Sequence, residues 1–256
     1  MPKHPHIVAV IPARLASTRL SRKVLREIAG RPMLDWVYRA ARDCGQLDRV
    51  LIATDSDEVM AFASESDFEA ILTPAECASG TDRVHFVAQS VAADIYVNVQ
   101  GDEPLVRREQ IDGLLRPILK RAEVLVSTLA TPCAPQQIGN PNAVKVVIAA
   151  DGRALYFSRA TIPHDRDGTG LVKYQKHLGF YAYRKAALDH FSALPPSPLE
   201  SAERLEQLRF LEAGIDIYVE PTEFDSIGVD TEEDRLAVEE ILRRRLSAPQ
   251  GKCGEI

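Results

Sequence analysis

Ile7 to Ile11 reads Ile-Val-Ala-Val-Ile, apolar at every position. A run of this length, rich in Val and Ile, has the pattern of a strand buried on both faces. Both faces are covered only when helices pack above and below a sheet, so this one stretch already points to an α/β fold. The next 120 residues keep that rhythm. Arg31-Pro32-Met33 opens a helix with proline at its first position, and Leu34, Val37, Ala41 and Cys44 give it one buried face before Gly45. Arg49 to Thr54 reads as a second buried strand ending on Asp55, Asp57 to Ser64 as a helix, and Ala70 to Thr73 as a short strand. Ser79-Gly80-Thr81-Asp82-Arg83 starts a helix reaching about Ala92. Asp94 to Gln100 is a strand, Gln110 to Ala122 a helix and Val124 to Ala130 a strand. Strand–helix alternation of this kind predicts a parallel sheet with right-handed crossovers.

The rhythm then changes. Ala143 to Ile148 and Arg153 to Ser158 flank Asp151-Gly152, a strong hairpin signal. The stretch from Pro132 to Pro163 therefore reads as an antiparallel excursion, with a return strand from His177 to Tyr183. A helix from Pro198 to Ala213 follows, with Leu205, Leu208 and Leu211 inward, and then a strand from Asp216 to Val219. The last helix starts at Asp230-Thr231, where Thr231 and Asp234 fit a capping box and Leu236, Val238, Ile241 and Leu242 supply apolar positions. The tail after Leu246 is polar and predicted to fray.

Directly after the first strand comes a basic loop. Arg14, Arg19, Arg22, Lys23, Arg26 and Arg31 are six basic residues against one acid, Glu27, in a chain of net charge −6. The carboxyl end of a buried strand is where α/β folds bind ligands. Small residues Ala13, Ala16 and Ser17 would let backbone N–H groups approach phosphate oxygens, while Arg14, Arg19 and Lys23 neutralise charge. On charge alone, a solvated basic loop is the better reading.

The bulk properties exclude several classes. An acidic chain of 256 residues is a poor candidate for nucleic acid or an anionic membrane surface. No apolar run approaches the ~18 residues of a membrane span, and the Ile7–Pro12 run is too short for a signal peptide. Cys44, Cys77, Cys133 and Cys253 are scattered, without metal-ligand spacing, as in a reducing cytoplasm. The sequence contains no G-x-x-x-x-G-K-[ST], no G-x-G-x-x-G after the first strand, no H-E-x-x-H and no G-x-S-x-G.

Two further clusters stand at predicted strand or helix ends. Gln100-Gly101-Asp102-Glu103-Pro104 places an aspartate just past a strand, where it can cap a turn or ligate Mg²⁺, a cation that takes one or two carboxylates plus phosphates. Gly228-Val229-Asp230 precedes the last helix, where Asp230 reads first as a cap.

Taken in order, Val10-Ile-Pro-Ala-Arg with Ser17-Thr-Arg-Leu-x-x-Lys23, Ser79-Gly-Thr-Asp-Arg, Val97-Asn-Val-Gln-Gly-Asp-Glu-Pro, Tyr156-Phe-Ser-Arg-Ala-Thr-Ile-Pro, His177-Leu-Gly-Phe-Tyr-Ala-Tyr-Arg, Ser197-Pro-Leu-Glu, Leu205-Glu-Gln-Leu-Arg and Gly228-Val-Asp-Thr form a series. That series resembles the 3-deoxy-manno-octulosonate (Kdo) cytidylyltransferases, also called CMP-Kdo synthetases, over about residues 6 to 243. The first motif is shared with other sugar nucleotidyltransferases, and the later ones are more specific. The resemblance implies one nucleotidyltransferase domain over 1–256, a Rossmann-like three-layer α/β fold with a mostly parallel central sheet. A smaller antiparallel excursion, about 132–183, would serve sugar binding and homodimer formation.

The implied reaction joins CTP to a 3-deoxy-2-ulosonic acid with Mg²⁺, in the cytoplasm, for lipopolysaccharide or capsule precursors. By matching motif, Ala13, Arg14, Ser17, Arg19 and Lys23 would hold CTP, and Gln100 would sit where nucleotide meets sugar. Asp102 and Asp230 would bind Mg²⁺ and, with Lys23 and Arg14, form the catalytic set. Arg83, Arg159, His177, Tyr181, Glu206 and Gln207 would line the sugar pocket, with Arg83 or Arg159 expected to meet the sugar carboxylate.

Two positions depart from the family pattern. Ser21 replaces a proline in the basic loop, and Cys77 replaces a histidine two residues before Ser79-Gly80. The second change exchanges a ring that donates and accepts for a weakly polar thiol, which keeps 8-amino-3,8-dideoxy-manno-octulosonate open as an alternative substrate. A sialic acid nucleotidyltransferase and a non-catalytic nucleotide-binding regulator are the other readings, although the regulator has no need of both Asp102 and Asp230.

Overall fold

A computed structural model describes residues 4–15, 20–77 and 79–247. In chain order these form β1 (Ile7–Pro12), β2 (Glu27–Ile28), β3 (Arg31–Pro32), α1 (Met33–Arg42), β4 (Arg49–Thr54), α2 (Asp57–Glu65), β5 (Ala70–Leu72) and α3 (Gly80–Ser90). They continue as β6 (Ile95–Asn98), α4 (Arg108–Lys120), β7 (Val126–Pro132), β8 (Lys145–Ile148), β9 (Ala154–Ser158), β10 (Gln175–Arg184), α5 (Lys185–Ala193), α6 (Pro198–Glu203), α7 (Gln207–Glu212), β11 (Ile217–Pro221) and α8 (Glu232–Ser247).

The main sheet runs in the order β11-β7-β10-β6-β1-β4-β5, with β8 pairing β10 and β9 pairing β8. β1 pairs in parallel with β4 and β6, β4 with β5, and β11 with β7. Only β10 opposes its neighbours β6 and β7, so the other strands on this path all point the same way. β1 is the centre of the parallel part. The chain leaves it on one side to build β4 and β5 and returns on the other as β6, so the carboxyl end of β1 is a topological switch point.

β1 is buried at every residue because it feeds two cores. Ile7, Ala9 and Ile11 pack with Leu34, Val37 and Ala41 of α1 and with Ile111, Leu114 and Ile118 of α4. Val8 and Val10 face the other way, toward Val84 and Val87 of α3 and Phe191 of α5. A smaller third cluster, Leu20, Ile28, Met33, Leu105, Val229, Val238 and Leu242, seats α8 against the loop after β1. At ~25 cal/mol per Å² of apolar surface, burial on both faces is the main stabilising contribution of such a strand.

The β8–β9 hairpin and its pairing with β10 form the antiparallel excursion. Three expectations need correcting, and three short elements were not expected at all. Pro32 is the cap before α1 rather than its first residue. The helix expected from Pro198 to Ala213 is broken into α6 and α7, because Arg204 takes a left-handed conformation (φ 55°) that no continuous helix can contain. Leu236 is 54% exposed, since α8 turns only Val238 and Leu242 fully inward. Finally, α5 and the β2–β3 pair carry too few periodic residues to stand out in the sequence.

No helix among the described residues is long and apolar enough to cross a membrane. Cys44, Cys77 and Cys133 form no disulfide, whereas Cys253 lies outside the described residues.

Candidate active site

The parallel strands deliver three loop starts to one edge of the sheet: Ala13-Arg14 after β1, Asp55 after β4 and Gln100-Gly101-Asp102 after β6. The β6 turn fits because residue 101 is glycine. A Cβ there would lie 2.7 Å from the Pro12 carbonyl oxygen and 3.6 Å from the Ala13 Cβ.

Lys23 brings the acidic residues together. Its Nζ donates to Asp102 Oδ2 at 2.6 Å and to Asp230 Oδ1 at 2.8 Å. Burial works against its charge, but Asp102 and Asp230 outweigh it and hold the ammonium above its ordinary pKa. Asp230 arrives from the far end of the chain. The Val229 N–H donates to the Asp102 carbonyl at 2.9 Å, and the Thr231–Asp234 capping box starts α8 immediately beyond.

The basic loop is only partly described. Ser17 and Arg19, with Ala16, lie outside the described residues. Arg14 is exposed, with Nε 4.0 Å from Asp55 Oδ2, and Arg22 pairs with Glu58. Ala13 has a different part from the one expected. Its N–H donates to the Ala53 carbonyl at 2.9 Å and extends the β1–β4 ladder, so it is not available to a phosphate. Its small side chain instead leaves room for Gly101.

Of the expected sugar-side residues, His177 and Tyr181 lie on β10, Arg83 in the first turn of α3, Glu206 and Gln207 at the start of α7, and Arg159 just after β9. Two extra residues on β10 between Leu178 and Tyr181 make a bulge. The Thr128 hydroxyl fills it, donating to the carbonyls of Leu178 and Phe180, and lies 3.0 Å from His177 Nε2. Tyr181 Oη is 2.9 Å from the same nitrogen, so His177 and Tyr181 share a face despite the bulge. Burial lowers the His177 pKa to about 3 and raises that of Tyr181 well above 10.0, which keeps both neutral.

Gln100 sits between two glycines. A Cβ on Gly80 would approach its Nε2 to 3.1 Å, and one on Gly179 its Cγ to 4.0 Å. The break at Arg204 places Glu206 at the N-cap position of α7, without a capping bond from its side chain. Its carboxyl pKa is raised by burial and pulled back by hydrogen bonds to the Thr81 and Ser79 side chains. Gln207 is 7% exposed, and its buried Nε2 has no hydrogen-bond partner among the described residues. A buried amide donor without a partner suits a pocket that receives a polar ligand.

The two arginines considered for the sugar carboxylate are both engaged. Arg83 is fully buried, with Nη2 2.6 Å from Asp55 Oδ2 and Nη1 donating to the Thr73 hydroxyl. Arg159 donates to the backbone carbonyls of Glu203 (2.7 Å), Pro141 (3.0 Å) and Arg204 (3.3 Å). Cys77 lies in the field of Arg83, Asp82 and Asp55. Burial raises its thiol pKa, with Arg83 opposing. Sequence reasoning missed Asp55, the anion beside Arg83, and Lys176 on β10, which pairs with Asp225. Asp55 shows a weak signal, an acid directly after a buried strand.

A mostly parallel sheet with a cationic loop and two carboxylates at its switch point is the frame of a nucleotidyltransferase-type α/β protein. Comparison with known proteins narrows this. The pattern of the cytidylyltransferase family matches residues 8–217. A 3-deoxy-manno-octulosonate cytidylyltransferase of Acidobacterium capsulatum is 64% identical over 240 residues, which is 94% of this chain and 98% of that one. Its counterpart from Koribacter versatilis is 60% identical over 238 residues, 93% and 90% of the two chains. The solved structure of CMP:2-keto-3-deoxy-manno-octonic acid synthetase complexed with CTP matches with a TM-score of 0.90 at 38% identity, covering 94% of this chain and 99% of that one. The chain therefore belongs to the cytidylyltransferase family, in the branch of the 3-deoxy-manno-octulosonate cytidylyltransferases.

Proposed function

We propose that this chain transfers CMP from CTP to the anomeric hydroxyl of 3-deoxy-D-manno-octulosonate, releasing pyrophosphate. The observation that carries the substrate is the 64% identity, across nearly the whole chain, to a cytidylyltransferase named for that sugar. The names of the relatives favour Kdo over its 8-amino analogue, even with cysteine at position 77.

The C2 hydroxyl oxygen forms a bond to the α-phosphorus, the bond from that phosphorus to the α,β-bridging oxygen breaks with its electron pair leaving on pyrophosphate, and the hydroxyl proton passes to water. Such transfers depend on positioning and charge neutralisation. Arg14 and Lys23 supply positive charge for the triphosphate, and Gln100 lies between the nucleotide side and the β10 side. Neutral His177 and Tyr181 offer hydrogen bonds to sugar hydroxyls without carrying charge into the pocket. Glu206 and the open Gln207 amide extend that polar wall.

Mg²⁺ fits the acidic pair. Asp102 and Asp230 present hard oxygens and already share one cation, the Lys23 ammonium. No group of three or more His, Cys, Asp or Glu side chains suited to a metal forms among the described residues, so the ion would complete its shell with phosphate and water. Bound there, it would neutralise phosphate charge and acidify the attacking hydroxyl. We also infer a homodimer that uses the antiparallel excursion, because Leu155 on β9 is 60% exposed and Leu171 is 81% exposed. The expected setting is cytoplasmic supply of activated sugar for lipopolysaccharide.

The test is pyrophosphate release from CTP, Mg²⁺ and Kdo. Release with Kdo, and much less with its 8-amino analogue or sialic acid, is the expected result. No release with any of them overturns the reading.

A further inference from the structure

Lys176 and His177 are neighbours on β10 with different partners. His177 meets Tyr181 and Thr128. The Lys176 side chain, 12% exposed, donates to Asp225 Oδ1 at 2.8 Å and to the Ser226 carbonyl at 3.0 Å. Those residues belong to the segment that ends in Asp230.

That segment is fixed from the other side by the residues around Asp102. The Ser226 hydroxyl donates to Glu103 Oε2. A Cβ on Gly228 would come within 3.3 Å of Glu103 Oε1, and the Val229 N–H donates to the Asp102 carbonyl at 2.9 Å. Gln110 Nε2 adds a bond of 3.0 Å to the Phe224 carbonyl. Residues 224–230 thus form a strap stitched to the Asp102–Glu103 turn and tied to the sugar-side strand by the partly buried Lys176.

We infer that Lys176 is a positioning residue, which sets where the Asp230 carboxylate stands relative to Asp102 and so couples the sugar-side strand to the divalent-cation site. The inference rests on the reading of Asp102 and Asp230 as the pair that holds the metal. Groups that act on metal ligands through a second set of contacts typically change metal affinity 10–100-fold when removed.

Electrostatics makes the inference testable, because the two possible roles have opposite signs. If Lys176 acted only as a nearby positive charge, removing it would tighten cation binding. If it positions the strap, removing it loosens binding. The experiment is Mn²⁺ titration in the presence of CTP, read by loss of the free-ion electron paramagnetic resonance signal. Lys176→Met is expected to weaken Mn²⁺ binding by roughly tenfold. Lys176→Gln, which keeps a donor without the charge, is expected to fall between Met and wild type, and Lys176→Arg to recover most of the affinity. In pyrophosphate release, Lys176→Met should raise the apparent KM for Mg²⁺ and regain most of kcat at saturating Mg²⁺. Thermal melts identify any variant that does not fold, and the Gln and Arg variants then carry the test. Wild-type binding with unchanged or tighter Mn²⁺ in the variants overturns the inference alone. Failure of the wild type to bind Mn²⁺ with CTP overturns the metal reading and the inference with it.

Discussion

Gly101 lies against Pro12 so closely that a Cβ at position 101 would stand 2.7 Å from the Pro12 carbonyl oxygen. The turn that carries Asp102 is thereby seated on the end of the central strand. Gly101→Ala should push this turn off β1, with a stability loss of about 1–3 kcal/mol, typical of overpacking. Turnover should fall much further than stability, because Asp102 moves with the turn. Urea unfolding and pyrophosphate release on the same preparation check this. Wild-type activity in a destabilised variant would show that Asp102 tolerates the shift.

Lys23 holds two carboxylates that a metal would also use. Lys23→Met should tighten Mn²⁺ binding in the absence of nucleotide, since a competing cation is gone. The same change should lower kcat by about 10²–10³, the usual loss when one preorganised electrostatic contact is removed. Opposite directions for binding and turnover are the expected signature, and parallel losses would refute it.

Asp55 is the counter-charge of Arg83, which has no exposure of its own. Asp55→Asn leaves a buried guanidinium without an anion and should cost about 3–5 kcal/mol. In the double variant with Arg83→Met, much of that loss should return. Additive losses in the double-mutant cycle would show that the two side chains are not coupled.

His177 is held neutral by burial, with its pKa lowered to about 3 from 6.5. Below pH 6.5 the unfolded chain takes up a proton that the folded chain refuses. Stability therefore falls as the pH drops from 6.5 toward 3, by up to about 1.4 kcal/mol per pH unit. The His177 ring resonances should not titrate between pH 5 and 8, and His177→Gln should flatten the acid limb of the stability curve. A midpoint near 6.5 by NMR would contradict the geometry.

Much of the frame was legible because β1, β4 and β6 are short apolar runs, and Asp151-Gly152 announces a hairpin. The pairing of Asp102 with Asp230 was legible only through the family resemblance. No spacing rule links residues more than a hundred positions apart, and each aspartate alone reads as a turn or cap. Lys176 was invisible because a lysine in a strand looks like a solvated edge until Asp225 is found beneath it. Arg204 concealed the break between α6 and α7, since a left-handed arginine carries no compositional mark. Ala13 shows the converse. Its small side chain is plain in the sequence, but its N–H is engaged by the Ala53 carbonyl.

The second carboxylate of the acidic pair comes from the last tenth of the described chain, beyond residues 8–217 that the family pattern covers. During synthesis the central strand, the cationic loop and Asp102 leave the ribosome long before Asp230 does. A nascent chain can therefore form the central strand and the Asp102 turn while Asp230 and α8 are still unmade. Any step that needs both carboxylates would then depend on the part of the site that forms last.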